Sequence, residues 1–302
     1  MFKSKNGMSR ALVRRETTAG YLFLLPSLFF FVTFVLYPMF LCIYTSFFDS
    51  NMGKNAVDVF VGLGNYKELF QDKLFLGALK NTVVIVVVAV PTVCAFSLWV
   101  ATAIYDMKPA LTSAFRCIFY LPVVTGSVAV TVVWKWMYNS RYGVFNYLFK
   151  SLGIIDQNIN WLGDARFALW CIILILFTTS VGQPIVLYVS ALGNVDHSLV
   201  EAAQVDGANR RQVFWKIKWA QIMPTTLYIL IITTINSFQC FALIQLLTSG
   251  GPTHSTDTIM YYIYYTAFKL YRYGYGNAMG VVLMIIIAVL SAVQFKLGQQ
   301  SD

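Results

Sequence analysis

Charge is what this chain has least of. Of its 302 residues only 12% are charged against 58% hydrophobic, and the mean hydropathy is +0.65. A soluble domain needs a charged coat, and this composition would leave large apolar patches in water. An ordinary soluble globular protein is thereby excluded, and lipid becomes the solvent for most of the surface. The five cysteines, Cys42, Cys94, Cys117, Cys171 and Cys240, lie in apolar runs, form no CxxC pair and are odd in number. They read as small apolar side chains, with no disulfide framework and no metal site. The two histidines, His197 and His254, are far apart and have no neighbouring ligand pattern, so they read as loop residues. No GxxxxGK[ST] phosphate loop occurs, so the chain cannot hold ATP by that motif. The interiors of the apolar runs also contain almost no ionisable side chains, which leaves no obvious proton relay.

What is present is a series of six uncharged stretches, at 17–48, 81–105, 117–134, 167–195, 219–256 and 273–295. A spanning helix needs roughly 20 mostly apolar residues. The pattern therefore predicts an all-α, polytopic membrane helical bundle with spans at about 19–48, 81–105, 115–137, 167–192, 223–248 and 275–297. Residues 1–18 form an N-terminal segment before a membrane domain at 19–298. The third run is the shortest. Lys135 at its end can snorkel to the interface, where Trp134, Trp136 and Tyr138 form an aromatic belt. The fifth is too long for one crossing and includes an interfacial approach and a Gly-Pro turn.

Lys3, Lys5, Arg10, Arg14 and Arg15 precede the first run and place the N-terminus in the cytoplasm. A cleaved signal has an apolar region of about 7–15 residues. Here the run continues through Phe29, Phe30, Phe31, Leu36 and Tyr44, as in a retained anchor. Six crossings return the C-terminus to the cytoplasm, put 49–80, 139–166 and 249–272 outside, and leave 106–116 and 193–222 inside. The net charge of +9 sits beside apolar runs, which suits lipid headgroups and not nucleic acid.

The segment 193–222 is polar amid lipid-soluble sequence. Ser198 and Glu201 have capping-box spacing, Gly207 is placed to stop the helix that follows, and Asn209 with Gln212 offers a second cap. Phe214, Ile217 and Ala220 then fall along one helical face. The loop is a compact helix–glycine turn–helix. The residues alone fit equally an interfacial connector and a docking helix that enters a partner's groove.

The string Glu201-Ala202-Ala203, then Asp206-Gly207-Ala208, with Phe214 and Ile217 following, resembles the EAA loop of binding-protein-dependent ABC importer permeases. In that family the loop is the coupling helix that docks into the ATPase subunit, and the resemblance gives that role to these residues. Trp219-Ala220 stands where the family usually has Leu-Pro, so the helix should run on more smoothly into the fifth span.

The likeness extends over most of the chain and points to the carbohydrate, maltose-transporter-like branch. It runs through Tyr21 to Pro26, Phe60 to Tyr66, Phe119 to Pro122, Asn160 to Gly163, and Leu247 to Pro252. It implies a permease subunit of an ATP-driven importer in the bacterial inner membrane, with no catalytic residues of its own. It also implies a second, usually homologous permease, two ATPase subunits that hold ATP and Mg, an extracytoplasmic binding protein and a carbohydrate solute. A polyol or glycerol-phosphate solute is the alternative within that reading.

Polar side chains inside spans are candidates for a solute pathway, and Gln183, Tyr188, Asn236 and Gln239 offer the amides and aromatic platform that a sugar needs. Such residues also simply bond neighbouring helices. An ion-coupled secondary transporter would bring a membrane-embedded acid or twinned broken helices, and neither is found. Gly274-Tyr275-Gly276 lacks the Thr-Val of a potassium filter, and Gly276 with Gly280 reads as close helix packing.

Overall fold

A computed structural model describes residues 10–50 and 58–299. Lys3, Lys5 and half of the N-terminal segment 1–18 lie outside the described residues, as does part of the first outer loop. Among the described residues five helices are long and apolar enough to cross a membrane, and a bent pair makes six.

The first crossing is α1 (Arg10–Phe31), a π-helical turn at Val32–Leu36, and α2 (Tyr37–Thr45). A two-residue hairpin follows, β1 (Phe48–Asp49) antiparallel to β2 (Val59–Phe60), with Phe48 opposite Phe60. Helix α3 (Gly64–Gln71) leads into α4 (Lys73–Ile104), whose N-cap is Asp72, its carboxylate accepting from the Leu74 amide at 2.8 Å. Next come α5 (Pro109–Val124), α6 (Ser127–Met137) and α7 (Val144–Ser151), then α8 (Ala168–Ser180) and α9 (Gly182–Gly193). Beyond them lie α10 (His197–Val205), α11 (Arg210–Val213), α12 (Trp219–Phe238), α13 (Ala242–Leu247), α14 (Ile259–Tyr264) and α15 (Tyr273–Gln299).

The structure corrects two expected spans. Residues 115–137 do not form one helix: α5 and α6 meet at 95°. Pro122 lacks the amide hydrogen that would tie this turn to the one before. Thr125 and Gly126 then leave the helical region, with ψ of 125° and 142°. The helix that carries the expected span 223–248 begins well before it. Helix runs from Arg210 through a π-helical turn at Phe214–Lys218 into α12, and breaks only at 239–241. A π turn carries an extra residue, which rotates the side chains after it by about 100°. The expected stripe of Phe214, Ile217 and Ala220 is therefore broken: Val213 and Ile222 are buried while Ala220 is exposed.

Hydrogen bonds sort the connections onto two ends of the bundle. At one end Thr112 Oγ1 donates to Ile104 O (2.8 Å), the Asp196 amide donates to Gln221 Oε1 (3.0 Å), and Lys218 Nζ donates to the Tyr105 hydroxyl. At the other, Asn81 Nδ2 donates to Ser255 O (3.1 Å) and Asp257 O (3.0 Å), and Tyr138 donates to Cys171 O (3.3 Å). Segments 106–116 and 193–218 thus share an end, opposite 138–167 and 249–273. The bent pair α5–α6 connects the two ends, as a crossing must.

Helix α4 is the central post, packing most extensively on α9 and α12. Val93, Ala101 and Ile104 meet Ile185, Leu192, Ile222 and Ile229 in a buried cluster. Lipid is as apolar as these side chains, so what they gain is dense contact and not escape from water. Close approach elsewhere depends on glycine. At Gly182 any Cβ would strike the Phe119 carbonyl of α5, and at Gly274 the Phe48 carbonyl of β1. The expected Gly276 contact is also present, with the Ala267 Cβ 3.0 Å from where a Gly276 Cβ would sit.

Candidate functional site

The end that carries α10 is built from caps. The expected box of Ser198 and Glu201 is absent. Asp196 is the N-cap, its carboxylate accepting from the Ser198 amide (2.9 Å) and hydroxyl (2.7 Å). A carboxylate at a helix N-terminus gains from the macrodipole as well as the hydrogen bond, so it displaces the serine. Both Ser198 bonds hold the Asp196 carboxyl below its usual range. At the far end Gly207, φ +84°, closes the helix. The Ala208 amide donates to Ala203 O (2.9 Å) and the Gly207 amide to Gln204 O (3.1 Å), the two bonds of a Schellman stop. Open space surrounds Gly207, so its backbone angle and not its size calls for glycine. Asn209 and Gln212 then cap each other, at 2.9 and 2.8 Å, and start the long helix.

The result is a rigid projection whose outer surface is unpartnered. Glu201, Ala202, Asp206 and Gly207 are exposed, and Ala203, Ala208, Phe214 and Ile217 half-buried. Two apolar side chains that the sequence reading passed over stand out beside them: Val205, 87% exposed, and Leu199. Val205 sits directly before the Asp-Gly stop, and that adjacency was the available signal. Behind the projection, Lys218 lies 4.3 Å from the Tyr105 ring centroid and ties the start of α12 to the end of α4.

The far part of the same long helix reaches a cavity of about 160 Å³. Gln183 from α9 and Asn236 from α12 both line it, with Thr179, Ser180, Tyr228 and Thr233 adding hydroxyls. No Lys, Arg, His, Asp or Glu is in its lining. The sequence reading missed those hydroxyl residues, although Thr178-Thr179-Ser180 just before Gln183-Pro184 was a visible polar run. The other two pathway candidates are elsewhere. Tyr188 is buried in the core cluster against α4, and Gln239 is exposed at the C-cap of α12, outside the cavity lining.

The opposite end is tied by two acidic nodes. Asp72 accepts from Tyr262 (2.7 Å) and Tyr275 (2.9 Å). Burial alone would raise its pKa, but the bonds from Tyr262, the Leu74 amide and Tyr275 hold it below its ordinary value. Beside it Arg272 makes a paired contact with Glu68, both bonds 2.8 Å. Asp257 is buried, with Oδ2 at 2.7 Å from His254 Nδ1 and Oδ1 against Gly250, where a Cβ would clash. Burial pushes the Asp257 carboxyl up, and the His254 contact opposes it. Among the described residues no group of three His, Cys, Asp or Glu side chains is placed to hold a metal ion.

The family model for binding-protein-dependent transport system inner membrane components matches residues 21–299. The chain is 32% identical to the lactose transport system permease protein LacF of Rhizobium radiobacter, over 94% of this chain and 95% of that one. It is 28% identical to the sn-glycerol-3-phosphate transport system permease protein UgpA of Agrobacterium fabrum, over 91% and 93%. Its fold is similar to a chain of a bacterial alginate ABC transporter solved with an alginate pentasaccharide-bound periplasmic protein, with a TM-score of 0.80, 24% identity and 93% of each chain covered.

Proposed function

The chain belongs to the family of binding-protein-dependent transport system inner membrane components, and from that premise we propose that it is the permease subunit of an ATP-driven importer of carbohydrate. In this reading an extracytoplasmic binding protein delivers the solute to the end carrying 249–273. A second, homologous permease completes the pathway, and two ATPase subunits hold ATP and Mg at the α10 end. That end is cytoplasmic, and the start of α1 and the end of α15 lie on its side.

Glu201, Ala202, Ala203, Asp206, Gly207 and Ala208 form the docking turn, with Phe214 and Ile217 at its base. Val205 and Leu199 supply the apolar knob that a groove on an ATPase subunit would take up. The observation that carries the reading is the continuity of helix from Arg210 to Phe238. One continuous helical element bears the docking turn at one end and Asn236, on the cavity, at the other. A displacement of the docked turn is therefore carried toward the solute space along a single helix.

The cavity favours carbohydrate over glycerol phosphate. Amides and hydroxyls match a neutral polyhydroxylated solute, whereas a phosphate would want a cation that the lining lacks. The decisive experiment places cysteine at position 197 or 209 in a background free of native cysteines and labels intact cells with an impermeant thiol reagent. Protection of both positions until the membrane is opened is the expected result. Labelling from outside would overturn the orientation and the importer reading with it.

A further inference from the structure

On the end opposite α10, one flank of α7 forms a groove of about 500 Å³ whose lining includes Arg141, Tyr142, Asn146, Tyr147, Lys150 and Asn158. We propose that this groove seats the phosphate headgroup of an anionic phospholipid, with α7 lying in the membrane–water interface as an anchor.

The groove is held in shape from beneath. Asn146 is buried, and its side chain donates to Ser140 O (3.2 Å) and Ile159 O (2.9 Å) while accepting from the Ile159 amide (3.1 Å) and Trp161 Nε1 (3.0 Å). One amide thus fixes both walls. Asn139 Oδ1 accepts from the Arg141 amide (2.9 Å) and the Tyr142 amide (3.2 Å), which orients the turn that presents them. Gly143 lies so close to the Asn139 carbonyl that any side chain there would collide with backbone.

The rim has the chemistry of a headgroup site. Arg141 and Lys150 flank two exposed tyrosines, and among the described residues neither basic side chain has an acidic partner at ion-pair distance. Along the next strip of the same segment, Leu148, Leu152 and Ile154 are exposed. Unpaired cations beside an exposed aliphatic strip, just past the aromatic cluster of Trp134, Tyr138, Phe145 and Trp161, are the makings of an interfacial helix. An acidic edge on a partner protein would satisfy Arg141 and Lys150 but leave the aliphatic strip in water. Lipid satisfies both.

The test uses the full-length chain in nanodiscs of phosphatidylcholine with or without phosphatidylglycerol, read by native mass spectrometry for retained lipid. Wild type is expected to retain phosphatidylglycerol in preference. Arg141→Gln with Lys150→Gln should lower that preference roughly thirtyfold, the scale of two basic groups at an anionic surface. Lys67→Gln should leave it unchanged, and the swap Arg141→Lys with Lys150→Arg should keep it. A double glutamine variant that retains phosphatidylglycerol like wild type would overturn the proposal. So would one with unchanged lipid retention that no longer binds an extracytoplasmic binding protein, which would make the groove a protein-docking site. None of these outcomes depends on the solute or the ATPase.

Discussion

The Lys218 ammonium donates to the Tyr105 hydroxyl and lies at that edge of the ring, 4.3 Å from its centroid. Tyr105 follows directly on the last residue of α4, the central post, and Lys218 is the last residue of the π turn that opens α12. The pair is a clasp between the helix that carries the docking turn and the helix at the centre of the core. A hydrogen bond with one charged partner is worth about 1.5–3 kcal/mol. Lys218→Met removes ammonium and hydrogen bond together, and is expected to lower solute carried per ATP hydrolysed in proteoliposomes with circular dichroism unchanged. Tyr105→Phe removes the hydroxyl acceptor and should act in the same direction. An unaltered ratio in Lys218→Met would remove the clasp from the coupling path.

Gly207 should resist substitution through its backbone alone. Its φ of +84° costs an L-residue about 1–2 kcal/mol, and no neighbour crowds it. Gly207→Ala is therefore expected to insert normally but to uncouple ATP hydrolysis from uptake in part, and Gly207→Val more so. Glu201 exchanged for a bulky residue should act likewise through the docking surface. Normal solute-stimulated ATPase activity in both would contradict the docking role.

Asn236→Leu and Gln183→Leu should each weaken uptake while leaving ATPase association intact. A lost hydrogen bond to solute costs about 0.5–1.5 kcal/mol, or roughly two- to tenfold in apparent affinity. Gln239→Leu lies outside the cavity lining and should have the smallest effect. Uptake kinetics that rank the three in the opposite order would move the pathway away from this cavity.

The Asp257 carboxyl gives a pH prediction. Its pKa is raised in the folded chain, so the folded state favours the protonated form. Stability from this group is full below the usual carboxylate value of about 4 and is lost as pH rises through the raised value. Asp257→Asn removes that loss. The difference in melting temperature, variant minus wild type, should become more positive with rising pH. A difference that stays flat would sink the assignment.

Six apolar stretches and the caps at Gly207 and Asn209 were legible because each depends on local chemistry: long runs for lipid, a left-handed glycine, reciprocal Asn and Gln side chains. The bend between α5 and α6 was half-written in Pro122 and Gly126, but hydropathy is blind to direction. The π turn at Phe214–Lys218 leaves no local mark, since an extra residue in a turn is decided by packing on both sides. Asp196 lost out to Ser198 on paper because the box pattern was satisfied by spacing, while the real competition was electrostatic. Polarity within a span singles out Tyr188 and Gln239, and only the packing shows that one faces the core and the other a helix end.

The unbroken run from Arg210 to Phe238 also sets a scale for the machine. At 1.5 Å of rise per residue it is a rod of about 40 Å. Pivoted at the Lys218 clasp, about 30 Å from Phe238, it shifts that tip by ~2.6 Å for a swing of about 5°, close to a water diameter, beside an opening of about 160 Å³. In the proposed importer, a slight closure of the ATPase subunits would be enough to change the space around Asn236.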